Sequence, residues 1–224
     1  MTFGHKDIYE NAGALAINGL SLAYDDKPLF EDLSFTLAPG DTVWICGANG
    51  IGKTTLLKCI AGLTRPDAGA LTWNGIDIQT AWRGGIAAYQ GHHDAHKKDL
   101  SAAENLEFWQ DIYAANMDGQ ERDIGVALKH VGLWERRHQR ARTLSAGQSR
   151  RLALARLLLR DAPLWVLDEP AAPMDEIGRA LIHDMLRTHT ARNGSLLLAS
   201  HRVPSKIGTR TRILTLKETQ DARA

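Results

Sequence analysis

The chain has 224 residues, 24% of them charged, with 27 basic against 26 acidic side chains and a formal net charge of +1. That length holds one large domain or a domain with an inserted subdomain, and the near-neutral balance gives no global field to draw it onto nucleic acid or anionic lipid. No apolar run approaches the roughly 20 residues that span a bilayer. Residues 1–7 carry no signal-peptide core, so the chain is expected to stay in the cytosol, and its two cysteines, Cys46 and Cys59, read as buried thiols of a reducing compartment. The nine histidines show no ligand spacing, so a metal site built from protein ligands alone is not expected.

Apolar or alternating stretches at 14–24 and 29–37 predict two strands, separated by the turn Asp25, Asp26, Lys27, Pro28 and followed by Pro39 and Gly40. They precede a short buried strand at 41–46 and are expected to form an antiparallel edge beside its sheet. Residues 47–54 then read Gly-Ala-Asn-Gly-Ile-Gly-Lys-Thr, a complete G-x-x-x-x-G-K-[ST] phosphate loop. Glycines let successive N–H groups turn toward one anion, Lys53 adds a point charge, and the helix that starts at Lys53 and runs through 55–61 aims the positive end of its dipole at the same spot. The Thr54 hydroxyl can ligate Mg²⁺. Strand, glycine loop and helix are the context this motif requires, so the chain is expected to bind a nucleoside triphosphate.

After a turn at 65–69 come short strands at 70–73 and 86–89. From 94 to 142 no strand signal appears. A capping box at Ser101 and Glu104 opens a helix with Leu106, Trp109, Ile112 and Tyr113 at helical spacing, and a second helix over 121–131 is closed by Gly132. A helix at 146–160 leads to a strand at 164–167, a helix at 176–189, a strand at 195–199 and a last strand at 212–216.

Two further motifs carry chemistry. Residues 164–170 read Leu-Trp-Val-Leu-Asp-Glu-Pro, an apolar parallel-type strand with Asp168 and Glu169 at its carboxyl end, where open α/β sheets bind ligands. One carboxylate can hold Mg²⁺ while the next points elsewhere, because strand side chains alternate. Residues 144–148 read Leu-Ser-Ala-Gly-Gln; Ser145 and Gln148 form a capping box, and a helix N-terminus with a serine hydroxyl and a near glycine is also an anion site.

Leu-Ser-Ala-Gly-Gln, lying between the phosphate loop and the Asp-Glu strand, resembles the signature of ABC-type ATPases. The likeness covers nearly the whole chain. It implies an α/β fold: a P-loop NTPase core of ABC type with an antiparallel β edge and a helical signature subdomain. The implied division is one ATP-binding domain over 1–224, with residues 1–93 and 143–224 as the α/β core and 94–142 as a helical insertion continuing into the signature helix.

Carried over by residue, the resemblance implies that Tyr24 stacks on adenine, that Gly47, Ala48, Asn49, Gly50, Ile51, Gly52, Lys53, Thr54 and Thr55 bind ATP, and that Thr54 and Asp168 hold Mg²⁺. Glu169 would polarise the attacking water and His201 would contact the γ-phosphate. Asp175 would belong to the loop that crosses a dimer interface, and Ser145, Ala146, Gly147 and Gln148 would close in trans over ATP held by a second copy of the chain. Two departures stand out. The glutamine expected where the sheet meets the insertion falls on His92 or His93, with Gln90 slightly early, and Pro173 is unusual in the 171–175 loop.

More narrowly, residues 91–109 and 144–156 resemble the ATP-binding subunit of the bacterial cytochrome c maturation system. That implies a peripheral position on the cytoplasmic face of the inner membrane. It also implies partners in integral membrane ABC subunits and a haem-handling membrane protein, no nucleic-acid partner, and ATP hydrolysis coupled to haem export or to release of haem from its periplasmic chaperone. The alternatives are the cassette of another exporter, for drugs, lipid or metal, and a soluble non-transport ABC ATPase.

Overall fold

The computed structural model describes residue 9 and residues 12–25, 27–114, 122–200 and 210–217. His201, Asp26 and Glu121 lie outside these residues.

Two sheets organise the chain. β1 (Leu15–Tyr24), β2 (Lys27–Leu37), β4 (Ala68–Trp73) and β5 (Ile76–Asp77) form an antiparallel sheet in the order β2-β1-β4-β5. β3 (Thr42–Cys46), β6 (Ala87–Gln90), β7 (Leu164–Asp168), β8 (Ser195–Ala199) and β9 (Thr211–Thr215) form a parallel sheet in the order β6-β7-β8-β3-β9. The expected antiparallel edge is thus a sheet of its own, facing the parallel one across a shared core.

Alternation along the parallel strands builds two cores. Val43, Ile45, Leu164, Val166, Leu197 and Ala199 point to one side, where they meet the antiparallel sheet, α1 (Lys53–Ile60) and α2 (Ile78–Arg83). Trp44, Trp165, Leu167, Leu196 and Leu198 point to the other, against α3 (Ala102–Ala114), α4 (Ile124–His130), α5 (Ala146–Arg160) and α6 (Glu176–Ala191). A strand covered on both faces must be apolar throughout, which is why 164–168 and 195–199 read as unbroken buried runs. In β1 the inward set runs Leu15, Ile17, then Leu20, Leu22, and the change of phase coincides with a register shift between Ile17 and Leu20. This bulge keeps both halves facing one core.

Local chemistry sets the helix ends. The Ser101 hydroxyl accepts from Glu104 N–H at 3.2 Å and the Glu104 carboxylate accepts from Ser101 N–H at 2.7 Å, the reciprocal box that opens α3. α4 begins later than the sequence pattern suggests because the Asp123 carboxylate caps it, accepting from Val126 N–H at 3.1 Å. Between Gln90 and Leu164 the described residues hold helices, two 3-10 turns (Trp134–Arg136 and Ala141–Thr143) and one isolated bridge, Ser101 with Arg140. No helix among the described residues is long and apolar enough to cross a membrane.

Candidate nucleotide-binding site

β3 delivers the chain to the phosphate loop at the carboxyl edge of the parallel sheet. Gly47 sits at φ +147°, and a β-carbon there would lie 2.9 Å from the Leu216 carbonyl oxygen; only glycine fits. Gly52, at φ +102°, is the N-cap of α1 and offers no side-chain acceptor, and the first turn carries no acidic residue. The first N–H groups of α1 therefore keep their donor capacity, and the positive end of the helix is not neutralised from within. Lys53 is buried, its ammonium donating to the carbonyls of Gly47 at 2.8 Å and Ala48 at 2.7 Å, so the side chain folds back over the loop. Ala48, Asn49 and Gly50 are exposed; Ile51, Thr54 and Thr55 are half-buried.

β7 brings the carboxylates to the same edge. Asp168 is 4% exposed, and its Oδ2 accepts a 2.7 Å hydrogen bond from the Thr54 hydroxyl. Glu169 is half-buried and held at φ +47°, a left-handed conformation costly for a non-glycine residue, pinned by its N–H donating to the Ala199 carbonyl at 2.8 Å. β7 ends at Asp168, and Glu169 begins the turn that follows. Burial pushes the Tyr89 phenol up to about 12, and the nearby Asp168 charge adds to that rise. Burial also raises the Cys46 thiol, with the Lys53 charge opposing it.

The signature residues lie at the start of α5. The Ser145 hydroxyl accepts from Gln148 N–H at 3.2 Å and the Gln148 side-chain oxygen accepts from Ser145 N–H at 3.0 Å, so the capping box is complete. Ser145 and Ala146 are exposed. A β-carbon on Gly147 would lie 3.1 Å from the Pro173 carbonyl oxygen, so the signature turn packs against the 171–175 loop. The exposed Asp175 caps α6, its carboxylate accepting from Gly178 N–H at 2.7 Å. Tyr24 stands at the end of β1 with 68% of its surface exposed, an open aromatic face.

The structure separates the three residues considered for the loop-glutamine position, Gln90, His92 and His93. Gln90 is fully buried; its side-chain nitrogen donates to the carbonyls of Gly91 at 2.9 Å and His93 at 3.1 Å, and its oxygen accepts from Arg156. His92 and His93 are exposed, their rings 5.7 Å apart edge to face. Sequence reasoning missed the groups that hold this loop: Arg150, whose two terminal nitrogens donate to Gly91 and His92 carbonyls at 2.9 Å each, Asp94, 3.1 Å from it, and Arg156. The signal available was three arginines, Arg150, Arg151 and Arg156, in a helix segment that is otherwise Leu and Ala, since a cation buried in such a segment demands partners.

A strand, a glycine loop wrapped on an uncapped helix, and an aspartate at the carboxyl end of β7, one strand removed from β3 in the same sheet, define a P-loop nucleotide-binding protein. Residues 30–172 match the ABC transporter family. The cytochrome c biogenesis ATP-binding export protein CcmA of Methylococcus capsulatus is 42% identical over 189 residues, spanning 84% of this chain and 90% of that protein. Among solved structures, an ABC transporter ATP-binding protein from Pyrococcus furiosus superposes with a TM-score of 0.75 at 28% identity, covering 90% of this chain and 97% of that one. A dimeric post-hydrolysis ATP-binding cassette bound to ADP and Pi superposes with a TM-score of 0.78 at 20% identity over 91% of this chain and 94% of its own. The chain belongs to the ABC transporter family, in the branch that holds the cytochrome c biogenesis ATP-binding export proteins.

Proposed function

We propose that the chain is the ATP-hydrolysing subunit of a membrane ABC complex for cytochrome c biogenesis, coupling hydrolysis to haem export or to release of haem from its periplasmic chaperone. The observation that carries the ATPase reading is the Thr54–Asp168 hydrogen bond at the mouth of an uncapped α1, beside Lys53. The likeness to cytochrome c biogenesis export proteins carries the choice of pathway.

In this reading ATP lies with its adenine on Tyr24 and its phosphates in the cradle of residues 47–55. The phosphate oxygens take the N–H groups of the loop and the first turn of α1, and Lys53 turns from the Gly47 and Ala48 carbonyls to the β- and γ-phosphates. The hydroxyl and carboxylate of Thr54 and Asp168 are hard oxygen donors and fit Mg²⁺, which when bound would neutralise charge on the phosphates. Glu169 accepts the proton of a water that attacks the γ-phosphorus in line; the bond from phosphorus to the β,γ-bridging oxygen breaks and ADP leaves. His201 and His93 are assigned to the γ-phosphate and to sensing of the water. Full burial of Gln90, with both ends of its amide engaged, favours His93 for the second task.

One chain holds one signature and one phosphate loop. Ser145 is exposed at a helix N-terminus without acidic residues in its first turn, suited to a γ-phosphate held by a second copy. The dimeric cassette with ADP and Pi, a fold neighbour, is consistent with such a pair. A head-to-tail homodimer then forms on ATP and opens when the γ-phosphate leaves, a ligand-driven population shift. The division into residues 1–93 and 143–224 as core and 94–142 as insertion, docking on integral membrane subunits and a haem-handling membrane protein, and placement on the cytoplasmic face of the inner membrane belong to the same reading.

Deleting the chain's gene and staining for haem in c-type cytochromes tests the pathway. Loss of the stain, restored by the parental chain and not by Lys53→Ala, is the expected result. An unchanged stain overturns the cytochrome c assignment and favours another exporter.

A further inference from the structure

The 90–96 loop joins β6 to the helices, and α5 grips it at three points. Arg150, 3% exposed, forks between the Gly91 and His92 carbonyls at 2.9 Å each and pairs with Asp94 at 3.1 Å. Arg156, 7% exposed, donates to the Gln90 side-chain oxygen and lies 4.6 Å from the centre of the Trp109 ring. The Ser149 carbonyl meets the His96 ring nitrogen at 2.8 Å. Gln90 closes the arrangement from below through its own bonds to the Gly91 and His93 carbonyls.

Burying two guanidinium groups is costly unless they are matched in geometry, and leucine would pack α5 more cheaply. A planar fork across two successive carbonyls fixes backbone orientation in a way that apolar contact does not. What the fork fixes sits between two parts of the site. Ser145 opens the same helix five residues before Arg150, and Gln90 pairs with Leu167, one residue before Asp168. A continuous set of hydrogen bonds and strand pairing thus runs from the signature helix to the strand edge that bears the carboxylates.

We propose that Arg150 and Arg156 are positioning residues that bind the 90–96 loop rigidly to the signature helix, so that the loop, with His92 and His93, travels with Ser145 as one body. Asp94 holds the Arg150 charge in register. The proposal rests on the ATPase reading and adds a defined mechanical link to it.

The test measures ATP turnover and amide hydrogen exchange on the full chain. Arg150→Met is expected to lower kcat at least tenfold while KM for ATP stays within about twofold, and to speed exchange at the 91–96 amides with β3 and α1 unchanged. Arg150→Lys keeps the charge but not the fork and is expected to recover kcat only partly; Asp94→Asn is expected to lower it a few fold. Parental kcat and parental exchange in folded Arg150→Met overturn the proposal. Should that variant not fold, parental values in both Arg150→Lys and Asp94→Asn overturn it equally. Absence of turnover in the parental chain counts against the ATPase reading, and the exchange comparison then decides this proposal by itself.

Discussion

The Thr54 hydroxyl donates to the Asp168 carboxylate at 2.7 Å although 114 residues separate them. Parallel pairing makes this possible. β3 leads into α1 and β8 lies between β3 and β7, so the carboxyl ends of these strands share one edge. Asp168→Asn is expected to keep the fold and most metal-free nucleotide binding while losing the gain that Mg²⁺ brings, with turnover down at least about 10²-fold. Titrating a fluorescent ATP analogue with and without chelator checks it; equal Mg²⁺ dependence in variant and parent would remove Asp168 from the metal role.

Glu169 follows in a left-handed turn, off the line of β7. Glu169→Gln preserves shape and removes the proposed base, so ATP binding is expected to persist while turnover falls by roughly 10²–10⁴-fold. A steady-state phosphate-release assay decides, and parental rates would exclude Glu169 as general base.

Gly47 has no room for a methyl group. Gly47→Ala forces a β-carbon against the Leu216 carbonyl oxygen at 2.9 Å and a backbone that non-glycine residues avoid, at a cost of about 1–3 kcal/mol. Thermal unfolding is expected to show a lowered midpoint together with lost ATP binding; an unchanged midpoint would mean the loop relaxes freely.

Acid sensitivity has a source in a buried histidine of α6. His189 is 2% exposed, stacked on Trp165 with ring centres 3.9 Å apart, accepting from the Tyr9 hydroxyl at Nδ1 and donating from Nε2 to the Ser195 carbonyl. Burial lowers its pKa from 6.5 to about 3, so the unfolded chain binds a proton that the folded chain refuses. Stability from this group is complete above pH 6.5 and is lost as pH falls toward 3, by up to about 1.4 kcal/mol per pH unit. His189→Gln is expected to start less stable at pH 7.5 and to lose less between pH 6.5 and 5 than the parent in denaturant titrations. His96 and His130, lowered by burial in the same direction, leave some acid sensitivity in place. Parallel stability curves for variant and parent would contradict the assignment.

Elements whose causes are local were readable from the sequence. The runs at 164–168 and 195–199 announce strands buried on both faces, and Ser145 with Gln148 marks the start of α5 by its reciprocal cap. α2 was missed because six residues give no helical period; the Asp77 carboxylate, accepting from the N–H groups of Gln79 and Thr80, starts it. The second sheet depends on β1 pairing with β4, Leu15 opposite Trp73, a non-local choice that no window of sequence displays. The grip of Arg150 and Arg156 on the loop spans 59 and 66 residues and was hidden for the same reason. The residues proposed to cradle polyphosphate were legible because their motif is contiguous.

The most direct measurement is the mass of Glu169→Gln in solution by light scattering, with and without MgATP. Sharing of two nucleotides by two chains predicts a shift from one chain to two on adding MgATP, abolished by Ser145→Arg and reversed by removing the nucleotide. A mass that stays at one chain under saturating MgATP, or a dimer indifferent to Ser145→Arg, would contradict it.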